Sequence, residues 1–278
     1  MSLKEYLNRP FSFLMMLIIK LAAIITVGVM VFIVAYILIK GVPNITPELF
    51  AWEYNTDNVS MLPSIINTLI MTLLTLLFAV PIGIFSAVYL VEYSKRGSKL
   101  VKVIRLTTET LAGIPSIVYG LFGFLAFVIA LDWGYSLIAG ALTLAIMVLP
   151  TIIRTTEEAL IAVPDTYREG SFGLGAGKLR TIFRIIIPTA MSGIIAGIIL
   201  AIGRIVGETA ALIFTAGTYA AVPENLLSSA RTLSVHMYCL LSEGLYTEQA
   251  YATAVILLIM VIGINALSNF VAKKISKI

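Results

Sequence analysis

The chain alternates between long runs of apolar residues and short clusters of charged ones. Six apolar runs stand out, at about residues 21–39, 64–91, 111–131, 135–153, 185–206 and 250–271. A helix needs roughly 20 apolar residues to cross about 30 Å of hydrocarbon, and each run is about that long. The pattern therefore predicts an all-α polytopic membrane protein with six transmembrane helices. The first run is too long for the core of a cleavable signal peptide, so we expect it to remain as a helix.

The fifth run does not end cleanly, because apolar residues continue to about residue 222. A single helix over 185–222 would reach roughly 57 Å at 1.5 Å per residue, about twice the thickness of the hydrocarbon. Arg204, Gly207 and Glu208 interrupt the stretch. We therefore expect one crossing over 185–206, followed by a re-entrant or surface segment.

Composition supports a membrane protein and excludes several other classes. Of the 278 residues, 59% are hydrophobic and only 12% are charged, and the mean hydropathy is +1.01. A cytosolic enzyme, a disordered chain or a nucleic-acid-binding protein needs more charge on its surface. Cys239 is the one cysteine, so the chain cannot form an internal disulfide.

The placement of lysine and arginine predicts the orientation of the chain in the membrane. Cytoplasmic loops are enriched in these residues, and nearly all of them fall into two loops and the two termini. With both termini cytoplasmic, Lys40 and Arg231 are the basic residues left outside, beside acids such as Glu53 and Glu224. The cytoplasmic set comprises Lys4, Arg9, Lys95, Arg96, Lys99, Lys102, Arg105, Arg154, Arg168, Lys178, Arg180, Arg184, Lys273, Lys274 and Lys277. We expect a multi-pass protein of the plasma (inner) membrane.

The cytoplasmic loop over 154–184 has the pattern of a folded element. Pro164 and Asp165 open a helix, and we expect Asp165 to be its N-cap. Four glycines then allow a sharp reversal into a second short helix. Such a loop has little core of its own and should dock on another protein.

Gly177-Lys178 is not part of a phosphate-binding loop, because Phe172 and Leu179 occupy the required Gly and Ser/Thr positions. We expect no cofactor and no ATP bound by this chain.

The same loop carries a family signature. It reads Glu169-Gly170-Ser171, then Gly175, then Ile185-Ile186-Ile187-Pro188. This resembles the signature of bacterial ABC importer permeases, which is Glu-Ala-Ala, three residues, Gly, nine residues and Ile-x-Leu-Pro. The chain departs from it at both alanines and at the leucine. The resemblance implies a type I importer permease (MetI-like) fold over about 61–268. Residues 1–60 would then hold a cytoplasmic segment, the first helix and an outer loop, and 269–278 a basic cytoplasmic tail.

Two further segments are similar to permeases of the PstA type, which belong to phosphate importers. These are 111–123, Leu-Ala-Gly-Ile-Pro-Ser-Ile-Val-Tyr-Gly-Leu-Phe-Gly, and 203–210, Gly-Arg-Ile-Val-Gly-Glu-Thr-Ala. The sister permease of such importers shares a stretch like the second one. The resemblance implies inorganic phosphate as substrate, a second permease subunit, two ATPase subunits and an extracytoplasmic phosphate-binding protein. It also implies that the partner ATPase hydrolyses ATP and that this chain is not an enzyme.

The resemblance also assigns the coupling loop to a groove of the ATPase. Residues of the loop that match the signature or flank it are the expected coupling residues. They are Asp165, Tyr167, Arg168, Glu169, Gly170, Ser171 and Gly175.

Arg204 and Glu208 are the candidate substrate residues, because ionised groups at membrane depth are costly and usually face a cavity or the bundle interior. They lie four residues apart, which would place them on one face of a helix. The functional hypothesis is that Arg204 binds an oxyanion through its planar fork while Glu208 orients it. The alternative is a structural ion pair that fixes a kink. Ser116 and Tyr119 could also line the pathway, although close helix packing explains that glycine-rich segment as well.

Other polar residues have a structural interpretation. Residues 107–110, Thr-Thr-Glu-Thr, should cap the third helix, and Asn67 and Thr68 should bond neighbouring helices. His236 is the only histidine, and a metal site needs more ligands, so we expect it on a surface helix.

Alternative functions remain open from sequence. A permease for sulfate, molybdate or phosphonate would share the charge pattern. A secondary transporter would favour inverted repeats, and the chain shows no convincing repeat. An intramembrane enzyme would need a catalytic constellation, and the chain has none.

Overall fold

The computed structural model describes residues 10–95 and 97–275, and these fold into α-helices joined by turns and short irregular segments. Lys4, Arg9, Arg96 and Lys277 of the charge argument lie outside the described residues. The helices are α1 (Pro10–Gly41), α2 (Leu62–Val88), α3 (Lys99–Ala112), α4 (Ser116–Gly123), α5 (Leu137–Ile161), α6 (Asp165–Gly173), α7 (Lys178–Thr181), α8 (Ile187–Val206), α9 (Ala210–Thr215), α10 (Leu233–Glu243) and α11 (Thr247–Ile275). Wider π-helical turns extend α2 (Tyr89–Tyr93) and α4 (Phe124–Ala130) and join α7 to α8 (Ile182–Ile186).

Five helical stretches are long and apolar enough to cross a membrane. They are Phe11–Asn44, Leu62–Tyr93, Leu137–Ile161, Lys178–Val206 and Thr247–Phe270. The bent pair Lys99–Ala112 and Ser116–Ala130, whose two helices meet at 104°, makes a sixth crossing when it is counted as one broken span. The all-α fold is therefore confirmed, with five of the apolar runs in continuous helices and the third in a bent pair.

The helix of the third apolar run is α4 and begins at Ser116, because the chain breaks at Gly113-Ile114-Pro115. Proline lacks the N–H that a continuous helix needs and disfavours helix in the residue before it. Residues 107–110 therefore belong to the last turns of α3 and cap nothing. The hydroxyls of Thr107, Thr108 and Thr110 instead donate to main-chain carbonyls four residues earlier, at 2.7–2.9 Å.

The core of the bundle surrounds α5, which packs against α2, α8 and α4. Fully buried Leu144, Met147 and Ile152 of α5 meet Met71 of α2 and Leu212 of α9 in one cluster. The helix α1 lies outside this core and packs on α11, where Gly41 meets the Tyr251 carbonyl. Because α1 is apolar on all sides and exposed along its length, it faces lipid or another chain.

The fifth crossing ends at Val206, as expected, and the chain then turns back. The short helix α9 returns into the bundle and buries Ala211, Leu212 and Thr215. An irregular segment follows as far as α10 and, with loop 42–61, covers the end of the bundle opposite α6. The prediction of a surface helix around His236 is wrong, because Leu233–His236 are buried in this cover. The pattern of polar and apolar residues around His236 is that of a surface helix. It cannot show that a loop from a distant part of the chain covers the helix.

Gly120 allows α9 to approach α4 closely. A Cβ atom on Gly120 would lie 2.8 Å from the Ala211 Cα and 3.2–3.3 Å from two main-chain oxygens of α9. Main chain cannot move aside as a flexible side chain can, so only glycine fits this crossing.

We expect Gly120→Ala to destabilise the bundle by about 1–3 kcal/mol, the usual cost of overpacking. Gly28→Ala is the matched control, because a Cβ at Gly28 in α1 meets no atom within 4 Å. Thermal unfolding of the purified protein in detergent, followed by tryptophan emission, measures both. Equal melting temperatures for the two variants would show that α9 is not held against α4.

Candidate functional site

The loop between α5 and α8 folds as a compact helical hairpin, here called the coupling hairpin (163–181). Gly175 has a φ of +82°, the left-handed conformation that ends α6 and turns the chain toward α7. The Ser171 and Thr181 hydroxyls are 2.8 Å apart and hold the two helices together. Tyr167, Phe172 and Leu174 are exposed, Leu174 by 91%. Exposed apolar residues on a small rigid element are typical of a docking surface.

Asp165 is not the N-cap that the sequence suggested. Pro164 takes that position and Asp165 is the first residue of α6. Its Oδ1 accepts a hydrogen bond of 3.1 Å from Arg168 Nη1. Asp165 still lies where the positive end of the helix dipole favours a carboxylate.

Arg168 fastens the coupling hairpin to two membrane-spanning helices. Its Nε and Nη2 atoms donate to Glu92 Oε1 at 3.0 and 2.8 Å, at the end of α2. Its Nη1 and Nη2 atoms donate to the carbonyls of Val163 and Leu160, at 2.8 and 3.0 Å, after and within the last turn of α5. The Arg168 and Glu92 side chains are only 15% and 8% exposed. A movement of α6 must therefore reach the ends of α2 and α5 directly.

Glu92 is the residue of this region that sequence reasoning missed, and it pairs with the predicted coupling residue Arg168. It follows the second apolar run, where a single acid is an ordinary interface residue. Its partner lies 76 positions later in the chain, so no local pattern signals the pair. Arg168 could have signalled it, because a buried arginine needs an acidic partner.

The expected coupling residues divide into two groups. Tyr167, Glu169, Gly170 and Gly175 are exposed on the hairpin, with Asp165 at its start. Arg168 and Ser171 point inward and hold the hairpin in place. Contact with a partner is thus available to the first group, and the second group fixes its position.

The candidate substrate residues lie in the last turn of α8 (Arg204), just after that helix (Glu208) and in the first turn of α4 (Ser116 and Tyr119). Arg204 is half-buried in the last turn of α8 and lies within electrostatic range of Tyr119 in α4. Ser116 is half-buried at the first position of α4. The Tyr119 hydroxyl is already used, because it donates to the Leu111 carbonyl at 2.8 Å across the α3–α4 break.

Arg204 and Glu208 do not form the expected pair. The helix ends between them, and the buried Glu208 carboxylate accepts a hydrogen bond of 3.1 Å from the Ala211 N–H in the first turn of α9. The Glu208 carbonyl accepts from the Ser234 hydroxyl at 2.6 Å. Among the described residues Arg204 has no ion-pair partner. Neither the orienting role of Glu208 nor the structural ion pair is therefore found, and the Arg204 charge is available to a ligand.

Asn67 of α2 bonds the irregular segment before α10, whereas Thr68 bonds the first residue of helix α10, as expected. The Asn67 amide donates to the carbonyls of Ala221 and Arg231, at 2.9 and 3.1 Å. The Thr68 hydroxyl accepts from the Leu233 N–H at 2.9 Å. These bonds satisfy main-chain groups that lack a helical partner.

Comparison with known proteins matches the family described as "Binding-protein-dependent transport system inner membrane component" over residues 79–277. The "Probable ABC transporter permease protein YqgI" of Bacillus subtilis is 32% identical, over 92% of this chain and 93% of that protein. "Phosphate transport system permease protein PstA 1" of Mycobacterium tuberculosis (strain H37Rv) is 44% identical, over 54% of this chain and 48% of that protein. The PstA protein of Mycobacterium leprae is 36% identical, over 72% of this chain and 66% of that protein.

Solved structures show the same fold at low sequence identity. A chain of a bacterial alginate ABC transporter, in complex with an alginate-bound periplasmic protein, is 16% identical and aligns with a TM-score of 0.71, covering 99% of this chain and 98% of that one. A chain of the MetNI methionine ABC transporter is 17% identical and aligns with a TM-score of 0.59, covering 77% of this chain and 93% of that one. The fold is that of a type I ABC importer permease.

Loss of the Glu92 charge should loosen the coupling hairpin without unfolding the bundle. A neutral acceptor in Glu92→Gln loses about 1.5–3 kcal/mol of local stability, the range for hydrogen bonds to charged groups. Hydrogen exchange of the α6 amides should therefore accelerate about tenfold or more. Glu158→Gln is the control, because its pair with Arg154 is 3.0 Å long but both side chains are about two-thirds exposed and such pairs contribute little. Unchanged hydrogen exchange of the α6 amides in Glu92→Gln would show that the Arg168–Glu92 pair does not hold the coupling hairpin in place.

Proposed function

Because this chain belongs to the family of binding-protein-dependent transport system inner membrane components, we propose that it is the PstA-type permease of an ATP-driven inorganic phosphate importer. It forms half of the translocation pathway, and a second permease subunit forms the other half. Two copies of an ATPase subunit supply the energy, and an extracytoplasmic phosphate-binding protein delivers the substrate. The chain itself carries out no hydrolysis.

The similarity to PstA proteins of several bacteria is the observation that carries the choice of substrate. Those relatives are named as phosphate transport permeases, with identities of 36–44%. The site chemistry supports an oxyanion, because Arg204 presents a planar guanidinium that can donate two parallel hydrogen bonds to phosphate oxygens. Within the described residues no carboxylate neutralises the Arg204 charge, because the Glu208 carboxylate bonds the Ala211 N–H instead.

The coupling hairpin supports an ATP-driven mechanism. Its exposed apolar residues dock on the ATPase, and Arg168 passes the movement of α6 to the ends of α2 and α5. Closure of the ATPase pair on ATP shifts the permease between two conformations only if the hairpin is bound differently in each. In our proposal the hairpin lies in the cytoplasm with both termini, because the loops at that end carry most of the lysine and arginine.

Reconstitution tests the proposal directly. We expect proteoliposomes that hold the assembled complex, with binding protein supplied on the outer side, to take up radiolabelled phosphate only with ATP and the ATPase. Excess sulfate, molybdate or phosphonate should leave uptake unchanged. If one of these anions abolished phosphate uptake, the chain would still be a permease, but that anion would be its substrate. Uptake that persists without the ATPase would favour a secondary transporter.

Arg204→Lys should lower phosphate uptake about tenfold or more, because lysine keeps the charge but loses the bidentate fork, and 1.4 kcal/mol corresponds to a factor of ten. Arg154→Lys is the control, since Arg154 is exposed on the bundle surface and pairs with Glu158. Both complexes must first show equal assembly by co-purification. Full transport by Arg204→Lys would show that Arg204 does not bind phosphate through two hydrogen bonds.

A further inference from the structure

A cleft of about 640 Å³ opens at the end of the bundle opposite the coupling hairpin. The loop before α2 forms one wall, and the irregular segment between α9 and α10 forms the other. In the orientation proposed above, it faces the extracytoplasmic side. The residues that line it are Trp52, Glu53, Tyr54, Thr218, Tyr219, Ala220, Ala221, Val222, Glu224 and Arg231.

Arg231 is the only cation among these lining residues, and it is 9% exposed. Its Nε atom donates to the Thr218 carbonyl at 2.7 Å, and its Nη1 atom lies 3.2 Å from His236 Nδ1. Its guanidinium stacks over the Tyr54 ring at 5.1 Å. Within residues 10–95 and 97–275, no carboxylate pairs with it. The side chain is held firmly, but its charge is not neutralised.

The immediate surroundings of Arg231 leave a place for an anion. A guanidinium has five N–H donors, and the described residues accept from two of its three nitrogens, so Nη2 is left without an acceptor. Burial and the Arg231 charge lower the pKa of His236 to about 3, so the imidazole is neutral near pH 7 and accepts from Arg231. A buried charge without a counter-ion is expensive, and an anion in the cleft would remove that cost.

Main-chain donors add to the same cleft. Thr218–Val222 line it in an irregular conformation, and their N–H groups donate no hydrogen bond to any described residue. Three of the five carbonyls are bonded, those of Thr218 and Tyr219 by Arg231 and that of Ala221 by Asn67. With these carbonyls bonded and its N–H groups unbonded, the segment resembles the main-chain concavities that bind oxyanions.

We infer that Arg231 and the main-chain N–H groups of 218–222 form an entry site for a tetrahedral oxyanion at the extracytoplasmic mouth of the pathway. The inference rests on the proposed function for its orientation and for phosphate as the ligand. The site adjoins the α8–α9 break, since Ser234, three residues after Arg231, bonds the Glu208 carbonyl at 2.6 Å. Phosphate released into the cleft would meet Arg231, its one lining cation.

Glu53 and Glu224 limit the affinity of this site. Both carboxylates lie on the cleft wall and are exposed to solvent, where water and salt screen them. Their repulsion is too weak to cancel a buried guanidinium but favours rapid release. An entry site must release its ligand, so weak binding is what this position requires.

The test uses the emission of Trp52, which lines the cleft. The chain has two tryptophans, so Trp133→Phe in the full chain, in lipid nanodiscs, leaves Trp52 as the only one. Titration with inorganic phosphate, against chloride at constant ionic strength, should give a saturable change in emission. Arg231→Gln should abolish it, and Arg154→Gln, at an exposed position outside the cleft, should leave it intact. Glu224→Gln should lower the half-saturating concentration roughly two- to fivefold, the range for one exposed charge interaction, whereas Glu243→Gln, outside the cleft, should not.

Three results would overturn the entry site: no saturable response to phosphate, a response that survives Arg231→Gln, or weaker binding in Glu224→Gln. If Arg231→Gln does not fold, the Arg231→Lys and Glu224→Gln variants test the entry site instead. If Arg231 only tied the loops together, Glu224→Gln would not change the half-saturating concentration of phosphate. Uptake without a Trp52 response would refute the entry site alone. A Trp52 response without ATP-dependent uptake would refute the importer alone.

Discussion

The structure depends on one constraint, which is that hydrocarbon cannot satisfy main-chain N–H and C=O groups. A permease must nevertheless break its helices to form a pathway, and each break exposes such groups. Side chains meet part of this cost at the breaks described above. The Tyr119 hydroxyl bonds the end of α3, the Glu208 carboxylate bonds the start of α9, and Arg168 bonds the end of α5. Asn67 and Thr68 do the same for the segment that covers the bundle.

This constraint separates structural from functional polar residues. A polar residue inside an apolar run can have a structural or a functional role. Its role is structural if its polar atoms are already bonded within the chain, and functional if they are left for a ligand. Tyr119 and Glu208 are bonded to main chain, so they maintain the break and give little to a ligand. Arg204 and Arg231 have no carboxylate partner within the described chain. Free charge at buried positions, rather than polarity itself, therefore marks the residues that can contact an anion.

Sequence predicted what periodicity and local motifs encode. The apolar runs gave the crossings, the glycine-rich loop gave a folded hairpin, and the overlong fifth run gave a chain reversal after Val206. The break at Gly113-Ile114-Pro115, the Arg168–Glu92 pair and the burial of His236 were not predicted. The pair and the burial of His236 depend on contacts between distant segments, whereas the break follows from the local effect of Pro115. The Arg204–Glu208 spacing misled because it assumed a continuous helix, and the helix ends between the two residues.

A continuous helical stretch connects the two functional regions of the chain. Residues Lys178–Val206 form one unbroken run of 29 residues, which spans about 43 Å at 1.5 Å per residue. Its first turn is tied to the coupling hairpin by Thr181, and its last turn carries Arg204. A π-helical turn lies near its start, a feature that often occurs at functional sites. In the proposed mechanism, movement of the hairpin reaches Arg204 through this single element, while the bonds of Arg168 carry the same movement to α2 and α5. Because these helices pack around one core, the proposal requires them to respond together, so that access to the pathway changes as a unit.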